Sequence, residues 1–215
     1  MHAVPIAWFA FAGRRDSDAQ MIRHRLQTPA DYRRMPWKNG AGRTTEIAAF
    51  PPGAALDEFD WRVSIADVVR DAPFSAFAGV DRTIVLLAGA GMRLAGVGGA
   101  SSLRAVYEPH AFSGDETVNC TLVDGPVRDF NLMLRRGRVT GEVAIVRGAA
   151  ARIAPARFCL CYAAAGASEC VTAGQPPQRI PPDHALLIED ASATGAVPAV
   201  NPLTADAVAI VCRIE

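Results

Sequence analysis

The chain has 215 residues, of which 50% are hydrophobic, and 22 Lys and Arg residues against 22 Asp and Glu residues give it a formal net charge of +0. This apolar content supplies a folded core and excludes a wholly disordered chain. Because a neutral chain without a basic segment lacks the attraction that drives binding to nucleic acid or to an anionic membrane, we expect neither as a partner, and a small molecule or another subunit instead.

The first twenty residues join a short apolar run, VPIAWFAFAG, to the polar segment GRRDSDAQ. A signal peptide carries positive charge before its apolar run, whereas here Arg14 and Arg15 follow it, and the run is too short to cross a membrane. We interpret residues 1–20 as a disordered extension, or as an overlong start with Met21 as the true initiator.

From Met21 onward the pattern is that of a β-protein. Ten short apolar or alternating segments, punctuated by Gly, Pro, Asp and Asn, are predicted strands: TTEIAAF, WRVSIADV, RTIVLLAG, MRLAG, CTLVDG, DFNLMLRRG, EVAIVRG, ARFCLCYAA, HALLIED and AVAIVCRI. Since no long amphipathic helix separates them, the pattern favours a closed barrel or a jelly roll. Thr28 followed by Pro29 predicts one small helix start. A shift toward Ala, Arg and Gly near residues 141–156 indicates a boundary between residues 21–140 and residues 141–215.

The five cysteines are odd in number, form no CxxC pair and occur in a chain far larger than disulfide-stapled secreted domains. We expect reduced, buried thiols in a cytoplasmic protein. Cys159 and Cys161 stand two apart in a predicted strand, so both side chains should lie on one face of it.

Strand alternation predicts a polar face on three strands. Trp61, Val63 and Ile65 should point to one side of their strand, and Arg62, Ser64 and Ala66 to the other. The same rule places Phe130, Leu132 and Leu134 opposite Asp129, Asn131, Met133 and Arg135, and groups Thr44 with Glu46. A barrel with a polar inner face holds water or a ligand. Two alternatives remain open: a polar face exposed to solvent, or a structural ion pair between Glu46 and Arg62.

The stretch YRRMPWKNGAGRTTEIA, followed in order by FDWRVSIADV, DAPFSAFAGVDRTIVLLAGAGMRL, the AFSGD turn and DGPVRDFNLMLRRG, resembles the HutD/Ves family. The resemblance implies a cupin-like, double-stranded β-helix (jelly-roll) bicupin, with a first barrel in residues 21–140 and a divergent second barrel in residues 141–215. It also implies a role in bacterial histidine utilisation, in which the protein moderates the pathway by binding an acidic intermediate such as formylglutamate or urocanate.

Two small residues depart from the family pattern. Ala41 replaces the middle glycine of a GGG run, so the loop would be strained if that position needs a positive φ angle. Ala72 replaces the glycine of an Asp-Gly turn.

The segment PWKNGAG is either a plain turn or a loop that grips a ligand. Asn39-Gly40 is a turn signal by itself, but Trp37 and Lys38 are not needed for a turn. As a loop at the barrel mouth it favours a carboxylate ligand, because Lys38, Arg43 and Arg62 are cationic. Asn39, Ser64 and Asn131 would contact an amide or formyl group. The full predicted ligand-binding set is Trp37, Lys38, Asn39, Arg43, Thr44, Glu46, Arg62, Ser64 and Asn131.

Neither a metal centre nor a nucleophilic triad is predicted. The four histidines (His2, His24, His110 and His184) are too far apart to form the HxH pair of metal-binding cupins. The serines lack a GxSxG elbow. We therefore expect no cofactor.

Three functional classes follow from these features. The first is a ligand-binding regulator of histidine catabolism. The second is a metal-independent cupin enzyme acting on a small carboxylic acid, with Glu46 as base and Arg62 or Lys38 as electrostatic stabiliser. The third is a protein-binding module. Pairing of barrel edge strands would also permit a homodimer.

Overall fold

The structure is a computed structural model that describes residues 22–37, 39–96, 99–115 and 117–215. Within these ranges the chain forms nineteen strands and one single-turn helix, α1 (Ala191–Thr194), so the all-β prediction is confirmed. Each of the ten predicted strands overlaps an observed one. The predicted extension of residues 1–20 lies outside the described residues. No helix in the described part of the chain is long and apolar enough to cross a membrane.

Four antiparallel sheets contain these strands. Sheet 1 has six strands in the order β2 (Arg33–Pro36), β3 (Gly42–Phe50), β4 (Trp61–Val68), β11 (Val127–Arg135), β6 (Val80–Ala88) and β9 (Pro109–Ser113). Sheet 2 has four, in the order β5 (Ala72–Phe74), β10 (Val118–Leu122), β7 (Met92–Gly96) and β8 (Gly99–Leu103). Sheet 3 has five, in the order β1 (Arg23–Gln27), β17 (Ala185–Glu189), β14 (Phe158–Ala165), β19 (Val208–Ile214) and β12 (Gly141–Arg147). Sheet 4 has four, in the order β13 (Ala151–Arg152), β18 (Ala199–Pro202), β15 (Ser168–Val171) and β16 (Gln178–Ile180).

Three apolar cores join the sheets as layers. Trp61, Val63 and Ile65 of β4 pack with Leu160 and Ile210, so one core lies between sheets 1 and 3. A second core joins sheets 1 and 2, and a third joins sheets 3 and 4. Sheets 1 and 3 therefore bury both faces, and in sheet 3 this explains the nearly continuous apolar sequences of β14, β17 and β19.

The alternation predicted for β4 and β11 is confirmed by these layers. Trp61, Val63 and Ile65 face sheet 3, as do Phe130, Leu132 and Leu134 of β11. The opposite side of each strand faces sheet 2, where polar residues are buried. In β3 a bulge between Glu46 and Ala48 interrupts the alternation, so that Ile47 and Ala48 both enter the same core.

The N-terminal segment differs from its prediction in two ways. The small helix expected at Thr28 is wrong, because the chain turns there: the Asp31 carboxylate accepts bonds from the Thr28 amide and hydroxyl, each at 2.8 Å. The same side-chain bonding that caps a helix here closes a turn between β1 and β2. β1 also pairs with β17, so residues predicted to belong to the first half extend sheet 3. Ile22 and Leu26 provide the reason, since both pack on the core between sheets 3 and 4.

All five cysteines fall within the described ranges, and each is a free, buried thiol. Cys159 and Cys161 lie on one face of β14, as predicted, and both pack in the core between sheets 3 and 4.

Candidate functional site

A cavity of about 490 Å³ lies between sheets 1 and 2, on the polar side of β4 and β11. Its polar lining comprises Asn39, Thr44, Arg62, Ser64, Ser75, Arg82, Asp129 and Asn131. Its apolar lining includes Trp37, Leu56, Phe74, Phe77 and Met133. An apolar pocket of this volume with a few convergent polar groups is typical of a small-molecule site.

The strand register brings two arginines to the same row of the cavity floor. Met133 of β11 is paired with Arg62 on one side and with Arg82 on the other. Neighbouring strands are about 4.8 Å apart, so the two arginine Cα atoms are separated by roughly 10 Å. The next row pairs Asn131 with Ser64. Two cationic side chains and two hydrogen-bonding side chains therefore share one face.

Arg62 is held by a buried ion pair. Its Nε donates to Glu46 Oε2 at 2.6 Å, and the two side chains are only 5% and 11% exposed. Its Nη1 lies 3.8 Å from the sulfur of Met133. The ion pair predicted as an alternative to the cavity thus coexists with it. Glu46 fixes the guanidinium, while Arg62 itself lines the cavity.

Arg82 is the second cationic group of the cavity, and its surroundings are largely aromatic. Its guanidinium carbon lies 4.8 Å from the ring centre of Phe112 and 5.7 Å from those of Phe74 and Phe77. The backbone oxygen of Ser75 accepts a long bond of 3.5 Å, and the Arg82 Nε has no hydrogen-bond partner among the described residues. Burial lowers the Arg82 pKa to about 10, although the nearby Asp129 opposes this shift. A buried guanidinium with spare donors is suited to an anionic ligand.

Asp129 lies deepest of the polar groups, with 1% exposure. Burial raises its pKa to about 7; Asp67 adds to this shift and Arg82 opposes it. Within the described chain, the Oδ2 atom of Asp129 and the Oδ1 atom of Asn131 lack a hydrogen-bond partner. Because unpaired buried polar atoms are rare in native proteins, these two atoms are available to a bound molecule.

The loop before β3 shapes the cavity mouth. The Trp37 indole donates from Nε1 to Thr44 Oγ1 at 2.8 Å and contacts the Phe74 ring edge-on at 5.9 Å. Asn39 also lines the cavity, but its Oδ1 accepts the Ala41 amide at 3.0 Å, which leaves its amide nitrogen for other contacts. The loop is therefore both a turn and part of the cavity wall. Lys38 lies outside the described residues.

The glycines of the loop explain why Ala41 is tolerated. The positive φ angle of 65° falls at Gly40, not at Ala41, which is instead buried. At Gly42 a Cβ atom would lie 2.4 Å from the Asp67 carbonyl oxygen, so β3 and β4 approach too closely there for any side chain. The strain considered for Ala41 does not arise. Ala72, the other departure, lies in β5 without a positive φ angle.

Two of the predicted ligand-binding residues, Glu46 and Arg43, do not line the cavity. Glu46 reaches the site through Arg62, as above. Arg43 forms an ion pair of 2.7 Å with Asp67, and its side chain is 62% exposed. It borders a separate shallow groove beside Arg128.

Three polar residues of the cavity lie outside the predicted ligand-binding set: Ser75, Arg82 and Asp129. Strand alternation places Asp129 on the polar face, but it places neither Ser75 nor Arg82 there. The available signal for Arg82 was a charge in the otherwise apolar strand RTIVLLA, at a position that shares its face with Ile84 and Leu86. Arg135, predicted for the polar face, instead donates to the backbone oxygens of Asp57 and Phe59, each at 2.8 Å.

Across the described ranges, no group of three His, Cys, Asp or Glu side chains is arranged to hold a metal ion. His184 Nδ1 lies 2.9 Å from the Pro182 carbonyl oxygen, and the His110 ring stacks on Phe112 with ring centres 6.2 Å apart. These contacts are those of turn and packing residues. His2 lies outside the described part of the chain.

Comparison with solved structures identifies close structural relatives. A conserved protein of unknown function from Pseudomonas aeruginosa PAO1 superposes with a TM-score of 0.80 at 35% identity, over 90% of this chain and 99% of that one. HutD from Pseudomonas fluorescens SBW25 gives 0.76 at 32% identity, over 90% and 98%. Ylba from E. coli at 9% identity and an oxalate decarboxylase from Lactobacillus farciminis at 7% share the fold, with TM-scores of 0.66 and 0.60. The fold is therefore cupin-like.

Sequence comparison agrees. An uncharacterized protein from the hutC 3′ region of Pseudomonas putida is 40% identical over 160 residues, which are 74% of this chain and 84% of that protein. Protein Ves of Citrobacter koseri is 42% identical over 119 residues, 54% of this chain and 61% of its own length. The HutD family profile matches residues 29–203. The chain therefore belongs to the HutD family.

Proposed function

We propose that this protein binds a small carboxylate metabolite of histidine utilisation in the cavity between sheets 1 and 2, and moderates the pathway through that binding. The observation that carries the proposal is the pairing of Arg62 and Arg82 across Met133 on one buried sheet face. Arginine offers a planar fork of donors that matches a carboxylate. The association with histidine utilisation comes from the names of two relatives, HutD and the protein of the hutC 3′ region.

An acidic intermediate such as formylglutamate or urocanate suits the polar groups of the cavity. Ser64 and Asn131 form one row beside the arginines and offer a hydroxyl and an amide to an amide, formyl or ring nitrogen group. The aromatic walls at Trp37, Phe74 and Phe77 cover the apolar part of such a molecule. A volume of about 490 Å³ accommodates a metabolite of this size.

The proposal also includes a bicupin organisation. Sheets 1 and 2 form the first cupin-like barrel, and sheets 3 and 4 form the second, with β1 contributed from the N-terminus. A buried apolar cluster that includes Cys159, Cys161 and Cys170 lies between sheets 3 and 4, whereas the cavity described above lies between sheets 1 and 2. Ligand binding is therefore assigned to the first barrel.

The proposal places the protein in the cytoplasm, because its five thiols are unpaired. Pairing of edge strands between two copies would make it a homodimer.

A calorimetric titration of the full chain tests this function. The panel contains N-formyl-L-glutamate, formiminoglutamate, urocanate, histidine and glutamate, with metal analysis of the same sample. Saturable binding of at least one acid supports a binding protein if that acid is recovered chemically unchanged after incubation with the protein. A blank panel would remove the histidine-pathway ligand and shift the assignment to a protein partner or an unrelated metabolite.

The second candidate function is a metal-independent enzyme acting on a small carboxylic acid. The raised pKa of Asp129, about 7, favours it, because a buried carboxyl group with such a pKa serves as a general acid or base near neutral pH. This places the acid–base role on Asp129 rather than on Glu46, which is occupied by Arg62. Turnover of any panel member by the wild-type chain, lost in Asp129→Asn, would establish this candidate over the first.

A further inference from the structure

Asp129 is an unexpected group in a cavity that is assigned to anions. It is 1% exposed, lines the cavity floor, and has an Oδ2 atom without a hydrogen-bond partner among the described residues. Its strand neighbours at the same level are Ala66 of β4 and Leu86 of β6, neither of which provides a hydrogen bond. Two cations attract a carboxylate ligand, but they do not account for an acidic side chain at the same place.

The charged and titratable groups around Asp129 come from four elements. β6 provides Arg82, which favours the ionised carboxylate, and β4 provides Asp67, which disfavours it. β10 provides the thiol of Cys120, whose pKa is raised by burial and by the negative charge of Asp129. β3 and β4 also provide Glu46 and Arg62, which face one another at 2.6 Å. Since that pair is neutral as a unit, Arg82 is the cation left to balance either Asp129 or a ligand.

A ligand carboxylate and an ionised Asp129 would therefore compete for Arg82. With both ionised, two negative charges would share one guanidinium in a site with little access to water, which costs far more than the same contact in solvent. A protonated Asp129 removes this repulsion. Its O–H then becomes a donor for one ligand oxygen, while Arg82 donates to the other.

We propose that Asp129 is a specificity-determining residue of the cavity. In this role the protonated Asp129 side chain donates a hydrogen bond to the ligand carboxylate, beside Arg82. The inference rests on the proposed function, because it concerns the same cavity. When a carboxylate binds to protein in which Asp129 is ionised, Asp129 takes up one proton from solvent. Affinity for carboxylates therefore falls as the pH rises. Because the Asp129 pKa is about 7, this change occurs in the neutral range.

The test is a titration with formate, the simplest carboxylate, which stays ionised at every pH used. Binding is followed by intrinsic tryptophan fluorescence, to which Trp37 contributes from the wall of the cavity. The proteins are the full wild-type chain, Asp129→Asn and Arg82→Gln. Asparagine keeps the shape and a donor group but cannot titrate, so it separates the proton from the side chain. Circular dichroism at each pH establishes that the variants are folded.

For the wild type, Kd should rise about thirtyfold between about pH 6 and about pH 8.5, because each unit above the pKa costs up to tenfold. Asp129→Asn should bind with a constant Kd over that range, and Arg82→Gln should lose binding at every pH. A wild-type Kd that does not change with pH, or a pH dependence that persists in Asp129→Asn, would overturn the inference while leaving the proposed function intact. Absence of binding by formate and by every acid of the calorimetric panel would overturn both.

Discussion

The buried pair of Arg62 and Glu46 predicts a large coupling free energy. Replacing Arg62 by Met removes the cation but keeps an apolar stem in the cavity wall, and leaves the Glu46 carboxylate, 11% exposed, without its partner. Breaking a buried ion pair by removing one member costs about 3–5 kcal/mol, mainly because the other charge remains desolvated. We expect Arg62→Met to lower the free energy of unfolding by this amount.

The double variant Glu46→Gln/Arg62→Met should recover most of the loss. It leaves no unpaired charge at the site, and replacement of both members of a buried pair is often nearly neutral. The recovered free energy, about 2–4 kcal/mol, is the least value expected for the coupling free energy from the four proteins, because the cost of Glu46→Gln alone adds to it. Equilibrium urea unfolding, followed by tryptophan fluorescence and circular dichroism, measures each free energy under one set of conditions.

The chain contains a matched control for this cycle. Arg43 and Asp67 form an ion pair with nearly the same separation, 2.7 Å, but Arg43 is 62% exposed. An exposed pair contributes about 0–1 kcal/mol, so the equivalent cycle should give a coupling within that range. Equal coupling energies for the two pairs, or an Arg62→Met variant as stable as the wild type, would refute the reasoning that burial of the carboxylate sets the magnitude.

Two further predictions concern stability. The Asp129 pKa is raised by folding from its ordinary value of 3.8 to about 7, so the folded protein binds the proton more tightly and loses stability as the pH rises from about 4 to 7. Asp129→Asn should therefore be more stable than the wild type by about 4 kcal/mol above pH 7, and equally stable near pH 4. Urea unfolding above pH 7 and near pH 4 measures the two differences in stability. The same difference at the two pH values would contradict the prediction. Gly42→Ala places a Cβ 2.4 Å from the Asp67 carbonyl oxygen and should cost about 2–3 kcal/mol, whereas Gly53→Ala, with φ of 77° and open space around it, should cost about 1 kcal/mol. Thermal unfolding of both variants compares them, and equal costs would argue against the close approach of β3 and β4.

Strand alternation was sufficient to predict part of the site. Apolar and polar residues alternate over residues 61–65 of β4 and 129–132 of β11, and each side is buried against a different sheet, so alternation alone predicts Arg62, Ser64 and Asn131 on one face. The period-two pattern is informative here because the strands are long, eight residues in β4 and nine in β11.

Residues whose positions depend on long-range register could not be predicted. Arg82 enters the cavity because β6 pairs with β11 in one register, and nothing local to RTIVLLA indicates that pairing. Arg43 was expected at the cavity mouth, but Asp67 on the adjacent strand holds it at a different groove.

The same limit applies to the fold. β1 pairs with β17 across most of the chain length, and its sequence RHRLQ carries no signal for a partner so distant. The bulge after Glu46 also changes which residues of β3 face the core, and single-sequence alternation does not reveal an inserted residue. Local patterns therefore predicted elements and faces, while pairing between elements had to come from the structure.

Titration of Arg82→Gln and Arg43→Gln beside the wild type, with N-formyl-L-glutamate and urocanate in the calorimeter, tests the central claim most directly. Both substitutions remove one positive charge, but only Arg82 lines the cavity. We predict that Arg43→Gln binds with the wild-type affinity. The affinity of Arg82→Gln should be tenfold or more lower, which corresponds to about 1.4 kcal/mol or more of binding free energy. Equal affinities in the two variants would show that carboxylates do not bind in this cavity, and would contradict the account.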